Sequence, residues 1–165
     1  MIAIRTASEA DIPLLQRLAA IVFPATYAAL LTPEQLDYMM QWMYGDEGLR
    51  GQFAAGQTYY IAALDGEPCG YLSVEPQEPS LFHLQKIYVL PVAQGRGVGE
   101  ALFRQALAHV RAHGVLPARL ELNVNRGNRA LGFYERMGMQ RLRSVDIPIG
   151  GGFFMNDYIM GLEIA

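Results

Sequence analysis

Residues 94–100 read Gln94-Gly95-Arg96-Gly97-Val98-Gly99-Glu100, with a glycine at every second position. The stretch lies between a strand-like run over 81–89 and an amphipathic run over 98–110. Glycine there lets backbone N–H groups converge on a ligand without interference from Cβ. The first turn of the following helix adds unpaired N–H donors and the positive end of the macrodipole. Phosphate or pyrophosphate is the natural guest of such a turn, although packing alone also places glycines before helices. Two rival phosphate motifs fail. A P-loop needs Gly-Lys-Ser/Thr, and the chain reads Gly99-Glu100-Ala101, so it lacks the lysine and the hydroxyl that hold phosphate and magnesium. A dinucleotide fingerprint needs G-x-G-x-x-G and an acid closing the next strand. The spacing here is G-x-G-x-G, and Asn123 and Asn125 close that strand.

The flanking segments predict a mixed α/β chain. Ile2 and Ile4 alternate with Ala3 and Arg5, as in a short strand. Ser8 opens a helix, with Asp11 in the capping-box position and Pro13 in the first turn. Ile12, Leu15, Leu18, Ala19 and Val22 form its buried stripe, and Pro24 is expected to bend or end it. Thr32-Pro33 starts a second helix bearing Leu36, Met39, Met40 and Met43. Strands over 58–64 and 69–74 flank an Asp65-Gly66 hairpin turn, and a third strand covers 81–89. A helix over 98–110, a strand over 120–124 and a helix over 128–137 ended by Gly138 follow. Strands over 141–149 and 153–162 surround Gly150-Gly151-Gly152. The order is β-α-α-β-β-β-α-β-α-β-β, which is an α/β (α+β) pattern.

Composition narrows the partners. The 165 residues suit a single domain over 1–165, and 52% apolar against 18% charged residues suffices for a core. A net charge of −3 with no basic run makes nucleic acid and anionic lipid poor partners. The one cysteine, Cys69, excludes a disulfide framework and a cysteine zinc site, and reads as a small buried strand residue. No apolar run reaches the ~18 residues of a membrane span, and Met1–Arg5 does not open a secretory signal. A cytoplasmic domain is the expectation. His109 and His113 form an i, i+4 pair read as solvated on a polar helix face, so no metal is expected.

Gln94-x-x-Gly97-x-Gly99, behind a strand ending Ile87-Tyr88-Val89-x-Pro91, resembles motif A of the GCN5-related N-acetyltransferases. Leu122-Asn123-Val124-Asn125-x-x-Asn128, followed by Phe133-Tyr134-Glu135-Arg136-Met137-Gly138-Met139, resembles that family's C-terminal motif. The two lie in the family's order and separation, and the resemblance covers nearly the whole chain. It implies a mixed, mostly antiparallel central sheet flanked by helices. Acetyl-coenzyme A would lie in a V-shaped opening between the fourth and fifth strands. Backbone groups of Ile87, Tyr88 and Val89 would pair with the pantetheine arm. Gln94, Gly95, Arg96, Gly97, Val98, Gly99 and Glu100 would surround the pyrophosphate, Arg96 adding a charge-assisted contact. Asn128 would hydrogen-bond the cofactor while capping a helix.

The resemblance also implies a reaction. A primary amine attacks the thioester directly, the Val89 backbone N–H holds the oxyanion, and Tyr134 protonates the leaving thiolate. Transfer from a phenol near 10 to a thiolate near 8.5 is uphill by roughly 2 kcal/mol. The chain departs from the family twice. Asn128 precedes Tyr134 by six residues, where many members have seven. Asn123 stands where the ribosomal-protein-acetylating branch has a glutamate base, and an amide cannot take a proton at neutral pH. Glu121, two residues earlier on the same strand face, is the first replacement, followed by Glu75, His83 and Asp157. Acceptor specificity in the family is set by the first two helices and the final hairpin. Tyr27, Tyr38, Trp42 and Asp157 are therefore acceptor-site candidates, with Glu75 from the turn between the second and third hairpin strands. Residues 26–39 resemble members related to polyamine acetylation, so a small polyamine is the expected acceptor. A protein N-terminus, a lysine, an amino sugar or an antibiotic as acceptor, and a non-catalytic acyl-CoA sensor, are alternatives left open. Related folds pair through edge strands or the last hairpin, which leaves a homodimer open.

Overall fold

The computed structural model describes all 165 residues. Seven strands build one sheet: β1 (Ile2–Thr6), β2 (Thr58–Leu64), β3 (Glu67–Glu78), β4 (Leu81–Val89), β5 (Ala118–Asn125), β6 (Gln140–Gly150) and β7 (Phe153–Ile164). Their order across the sheet is β1-β2-β3-β4-β5-β7-β6. Every neighbouring pair is antiparallel except β4 and β5. The helices are α1 (Ile12–Tyr27), α2 (Pro33–Tyr44), α3 (Asp46–Ala54), α4 (Val98–His113) and α5 (Ala130–Arg136). No helix is long and apolar enough to cross a membrane.

Side chains alternate across the pleat, so each sheet face carries its own core. On one face Phe82, Leu84, Leu120, Leu122 and Val124 pack with Leu102, Phe103 and Val110 of α4, and Cys69 is buried among them. On the other, Tyr59, Ile61 and Tyr71 pack with Leu15, Val22 and Phe23 of α1, Met39 and Tyr44 of α2, and Leu49 of α3. The capping box at Thr32 starts α2 as its sequence predicts, whereas the box at Ser8 starts a 3-10 turn over Glu9–Asp11 that leads into α1. Asp11 accepts from the Ser8 N–H at 2.9 Å, and Thr32 Oγ1 accepts from the Gln35 N–H at 3.1 Å. The glycine turn at 150–152 has positive φ at all three residues and closes the β6–β7 hairpin.

Four expectations need correction. The chain has a third helix before the first hairpin, α3, which the sequence reading omits. Gly48 and Gly51 depress its intrinsic preference; burial of Leu49 and the packing of Phe53 on the Tyr59 ring, 5.2 Å between centroids, hold it together. Pro24 does not end α1, which continues to Tyr27. The missing N–H costs one helical bond, and the buried Phe23, with its ring 4.7 Å from that of Tyr27, secures the last turn. The helix expected from 128 begins at Ala130, because Asn128 Oδ1 takes the Ala130 N–H at 2.9 Å and stays outside as the cap. His109 is not solvated.

His109 is 6% exposed and hydrogen-bonded through Nδ1 to the Tyr60 hydroxyl at 2.8 Å. It lies seven residues after Leu102, on the same buried stripe of α4. Its polarity, not its position, suggested the surface. Burial, aided by the neighbouring His113, pushes its pKa from 6.5 down to about 4. The unfolded chain takes up this proton near 6.5 and the folded one only near 4, so stability should fall as pH drops through that window. Urea unfolding of the protein and of His109→Gln between about pH 7 and about pH 4.5 checks it. The variant should lose part of the slope.

Candidate active site

The parallel ladder between β4 and β5 pairs Leu81–Leu84 with Arg119–Leu122 and then stops. The cause lies one strand away. Ser73 pairs with Lys86 but Val74 pairs with Leu84, so Gln85 is an extra residue in β4. A bulge of this kind bends the strand and increases its twist, and β4 leaves β5 at that point. The Leu90 N–H donates to the Cys69 carbonyl at 2.7 Å. Antiparallel ladders alternate their bonding direction, so the N–H groups of Ile87 and Val89 point away from β3, into the gap. Gln94 Nε2 donates to the Val89 carbonyl at 3.2 Å and ties the following turn to the strand.

The gap widens into a cleft of about 830 Å³. One wall is the open edge of β4, Gln85 to Val89, and the other is Leu122, Asn123 and Val124 of β5. At one end lie Gly95, Gly97, Gly99 and Glu100 at the start of α4. Gly95 and Gly97 have φ of +76° and +86°, where an L side chain is strained; their backbone curls so that the first turn of α4 opens on the cleft. Tyr134 and Phe133 of α5, with Asn128 before it, line the middle. From the opposite face Tyr27 of α1 reaches the same space, its hydroxyl 2.9 Å from that of Tyr88. Burial and the nearby Tyr27 raise the Tyr134 phenol well above its ordinary range, so it is fully protonated at neutral pH.

The structure gathers most of the sequence-derived candidates here. Ile87, Tyr88, Val89, Gln94, Gly95, Gly97, Gly99, Glu100, Asn128, Tyr134 and Tyr27 all line the cleft. Val98 is buried in the core, and neither it nor Arg96 is part of the lining. Tyr38 is a fastener: its hydroxyl donates to the Ile149 carbonyl at 2.8 Å and its ring lies 5.3 Å from Phe153, holding α2 to the last hairpin. Trp42 is 49% exposed and outside the cleft. Glu75 accepts from Gln85 at 2.5 Å beside the bulge. Glu121 lies outside the lining, with Arg119 at 3.3 Å and Arg143 at 3.6 Å on its two oxygens. Asp157 is 1% exposed and accepts from Asn123 Nδ2 at 3.4 Å. Sequence reasoning missed Gln85 and Lys86; a bulge leaves no mark in a run of alternating residues.

Comparisons with known proteins agree with this architecture. The model of the acetyltransferase (GNAT) family matches residues 16–139. A GCN5-like protein acetyltransferase of Mycobacterium tuberculosis is 37% identical over 100 residues, 61% of this chain and 47% of that protein. Streptothricin acetyltransferase of Streptomyces lavendulae is 31% identical over 96 residues, 57% of this chain and 50% of that one. The chain thus spans about half the length of these curated relatives. Among solved structures, the PaiA N-acetyltransferase of Thermoplasma acidophilum, in complex with coenzyme A, superposes with a TM-score of 0.81 at 21% identity, over 99% of both chains. The ribosomal-protein-S18-alanine N-acetyltransferase of Escherichia coli gives 0.75 at 18% identity, over 100% of this chain and 95% of the other. At such identities the likeness is one of fold.

Lys86, on the cleft's β4 wall, has only neutral partners. Nζ donates to Gln52 Oε1 at 2.6 Å and to the Tyr59 hydroxyl at 2.5 Å, and sits 4.5 Å above the Tyr44 ring. Burial lowers its pKa from 10.5 to about 7. The unfolded chain keeps this proton up to about 10.5, so stability should rise with pH from about 7 upward. Chemical denaturation across that range should show the rise in the native protein and lose it in Lys86→Met.

Proposed function

Because the chain belongs to the GNAT acetyltransferase family, we propose that it moves the acetyl group of acetyl-coenzyme A to a primary amine by direct attack. The open edge of β4 carries this reading. Ile87 and Val89 present backbone groups that no strand of the chain takes up, beside a helix start whose N–H groups face the same cleft. An extended pantetheine arm completes the interrupted ladder, as an added strand does, and its pyrophosphate meets the first turn of α4. The Val89 N–H then faces the thioester oxygen, where a fixed donor stabilises charge developing in the transition state.

Tyr134 supplies the proton to sulfur. Its phenol is a weak acid in this buried setting, but burial also raises the affinity of a thiolate for a proton, which narrows the gap between them. Asn128 divides its amide: Oδ1 caps α5, which leaves Nδ2 for the cofactor. The acceptor class we put first is a small cationic amine such as a polyamine, entering from the α1 side past Tyr27.

Calorimetry with acetyl-coenzyme A should give saturable binding; no heat at millimolar concentration overturns the proposal. A thiol-release assay across spermidine, a peptide and an amino sugar should find an acceptor. Tyr134→Phe should lower kcat with that acceptor by about 10²-fold while acetyl-coenzyme A affinity stays within about threefold. Binding without turnover on any amine would replace transfer with an acyl-CoA sensor.

A further inference from the structure

Three polar side chains from three strands meet where β4 and β5 part. His83 of β4, Asn123 of β5 and Asp157 of β7 share the sheet face opposite Leu122 and Val124. His83 Nε2 lies 2.8 Å from Asn123 Oδ1, and Asn123 Nδ2 donates to Asp157 Oδ2 at 3.4 Å. Hydrogen-bond direction follows from the carboxylate. Asp157 accepts from the Asn123 NH₂, so the amide oxygen faces His83, and His83 donates from Nε2. Two buried side-chain atoms in the protein have no partner, and both are in this chain of groups: His83 Nδ1 and Asp157 Oδ1.

A carboxylate oxygen out of water without a donor is costly. Asparagine in place of Asp157 would relieve that cost, so the negative charge needs a purpose. Asn123 lines the cleft and Asp157 lies one hydrogen bond behind it. Tyr27, on the cleft's α1 side, feels the charge of Asp157. A cationic donor would suit an unpartnered carboxylate oxygen. A charge-assisted N–H bond from an ammonium is shorter and stronger than the long amide contact it would displace.

We propose that Asp157 is the counter-ion and proton acceptor for an aliphatic ammonium, with Asn123 as the cover that the ammonium displaces. The proposal rests on the acetyl-transfer reading and names the class of its acceptor. One ammonium proton passes to the Asp157 carboxylate and on to solvent. The neutral nitrogen forms the C–N bond with the thioester carbon, and the C–S bond breaks. Tyr134 protonates the sulfur and is restored by the second amine proton; the third stays on the amide product. The groups facing Asp157 suit this. Asn123 donates to it, Arg126 attracts it from the loop after β5 while paired with Asp146, and Tyr27 is uncharged. Burial outweighs the first two and holds the carboxyl above its ordinary range, which makes it a better base. Glu121 and Glu75, the other nearby acids, are engaged by arginines and by Gln85.

The test compares n-butylammonium with n-butanol on coenzyme A–loaded protein, by calorimetry. The ammonium should bind at least about tenfold more tightly, and equal affinity overturns the proposal without any variant. In Asp157→Asn this preference should vanish, and kcat/KM for the amine found in the thiol-release panel should fall about 100-fold. The acid limb of its pH profile should be lost as well. Acetyl-coenzyme A affinity should stay within about threefold of wild type. An Asp157→Asn protein with unchanged kcat/KM and pH profile defeats the proposal alone, whereas wild-type protein that fails to bind acetyl-coenzyme A defeats the transfer reading beneath it.

Discussion

Strands β4 and β5 share a ladder for only four rungs, and the hydrogen bonds they then cease to make organise the rest of the molecule. Buried backbone N–H and C=O groups are almost always paired, so a sheet that opens in its middle must offer the freed groups to something else. The extra residue at Gln85 produces the opening from the β3 side, while β5 stays fully paired with β7 along its whole length. One wall therefore bends out of the sheet and the other stays in it. The freed edge, the α4 start and the α5 side chains all meet this single defect, which is why a site assembled from distant segments needs no loop of its own.

The two faces of the opening are chemically unlike. On the α4 side the walls are aliphatic and aromatic, with Phe103 and Phe133 in edge contact at 6.3 Å. On the α1 side the sheet carries hydroxyl pairs, Tyr27 with Tyr88 and Tyr44 with Tyr71 at 2.6 Å. Burial keeps these phenols protonated, so they provide hydrogen bonding without charge. Among the buried charges of this face, Lys86 and Asp157 are held by neutral groups, whereas Glu121 is paired with arginines. The aliphatic face and the hydroxyl-rich face meet at the sheet's opening.

Propensity and packing disagree at two places that bear on the site. Pro24 should stop α1 a turn early, and had it done so Tyr27 would not reach the cleft. Glycines at 48 and 51 argue against α3, yet that helix brings Gln52 to Lys86. In both cases burial of aromatic and aliphatic side chains, worth roughly 1.5–3 kcal/mol each, offsets a local penalty of about 1 kcal/mol per glycine and about 3 kcal/mol for the proline. Local rules fail where tertiary contacts converge.

The glycine-rich turn, the capping boxes at Ser8 and Thr32, the Asp65-Gly66 hairpin and the strand limits at 81–89 were all readable residue by residue, because each depends on neighbours within four positions. So was most of the set of residues lining the cleft at the α4 start and α5, which lie in two short contiguous motifs. The polar α1 side was not. Whether Glu121 or Asp157 keeps a free oxygen depends on Arg119, Arg143 and Asn123, which reach those acids from two strands. His109 likewise became a core residue only once Tyr60, 49 positions away, supplied a hydroxyl. Charge and hydrogen-bond state are properties of the partners, and partners from remote segments exist only after the chain has closed on itself.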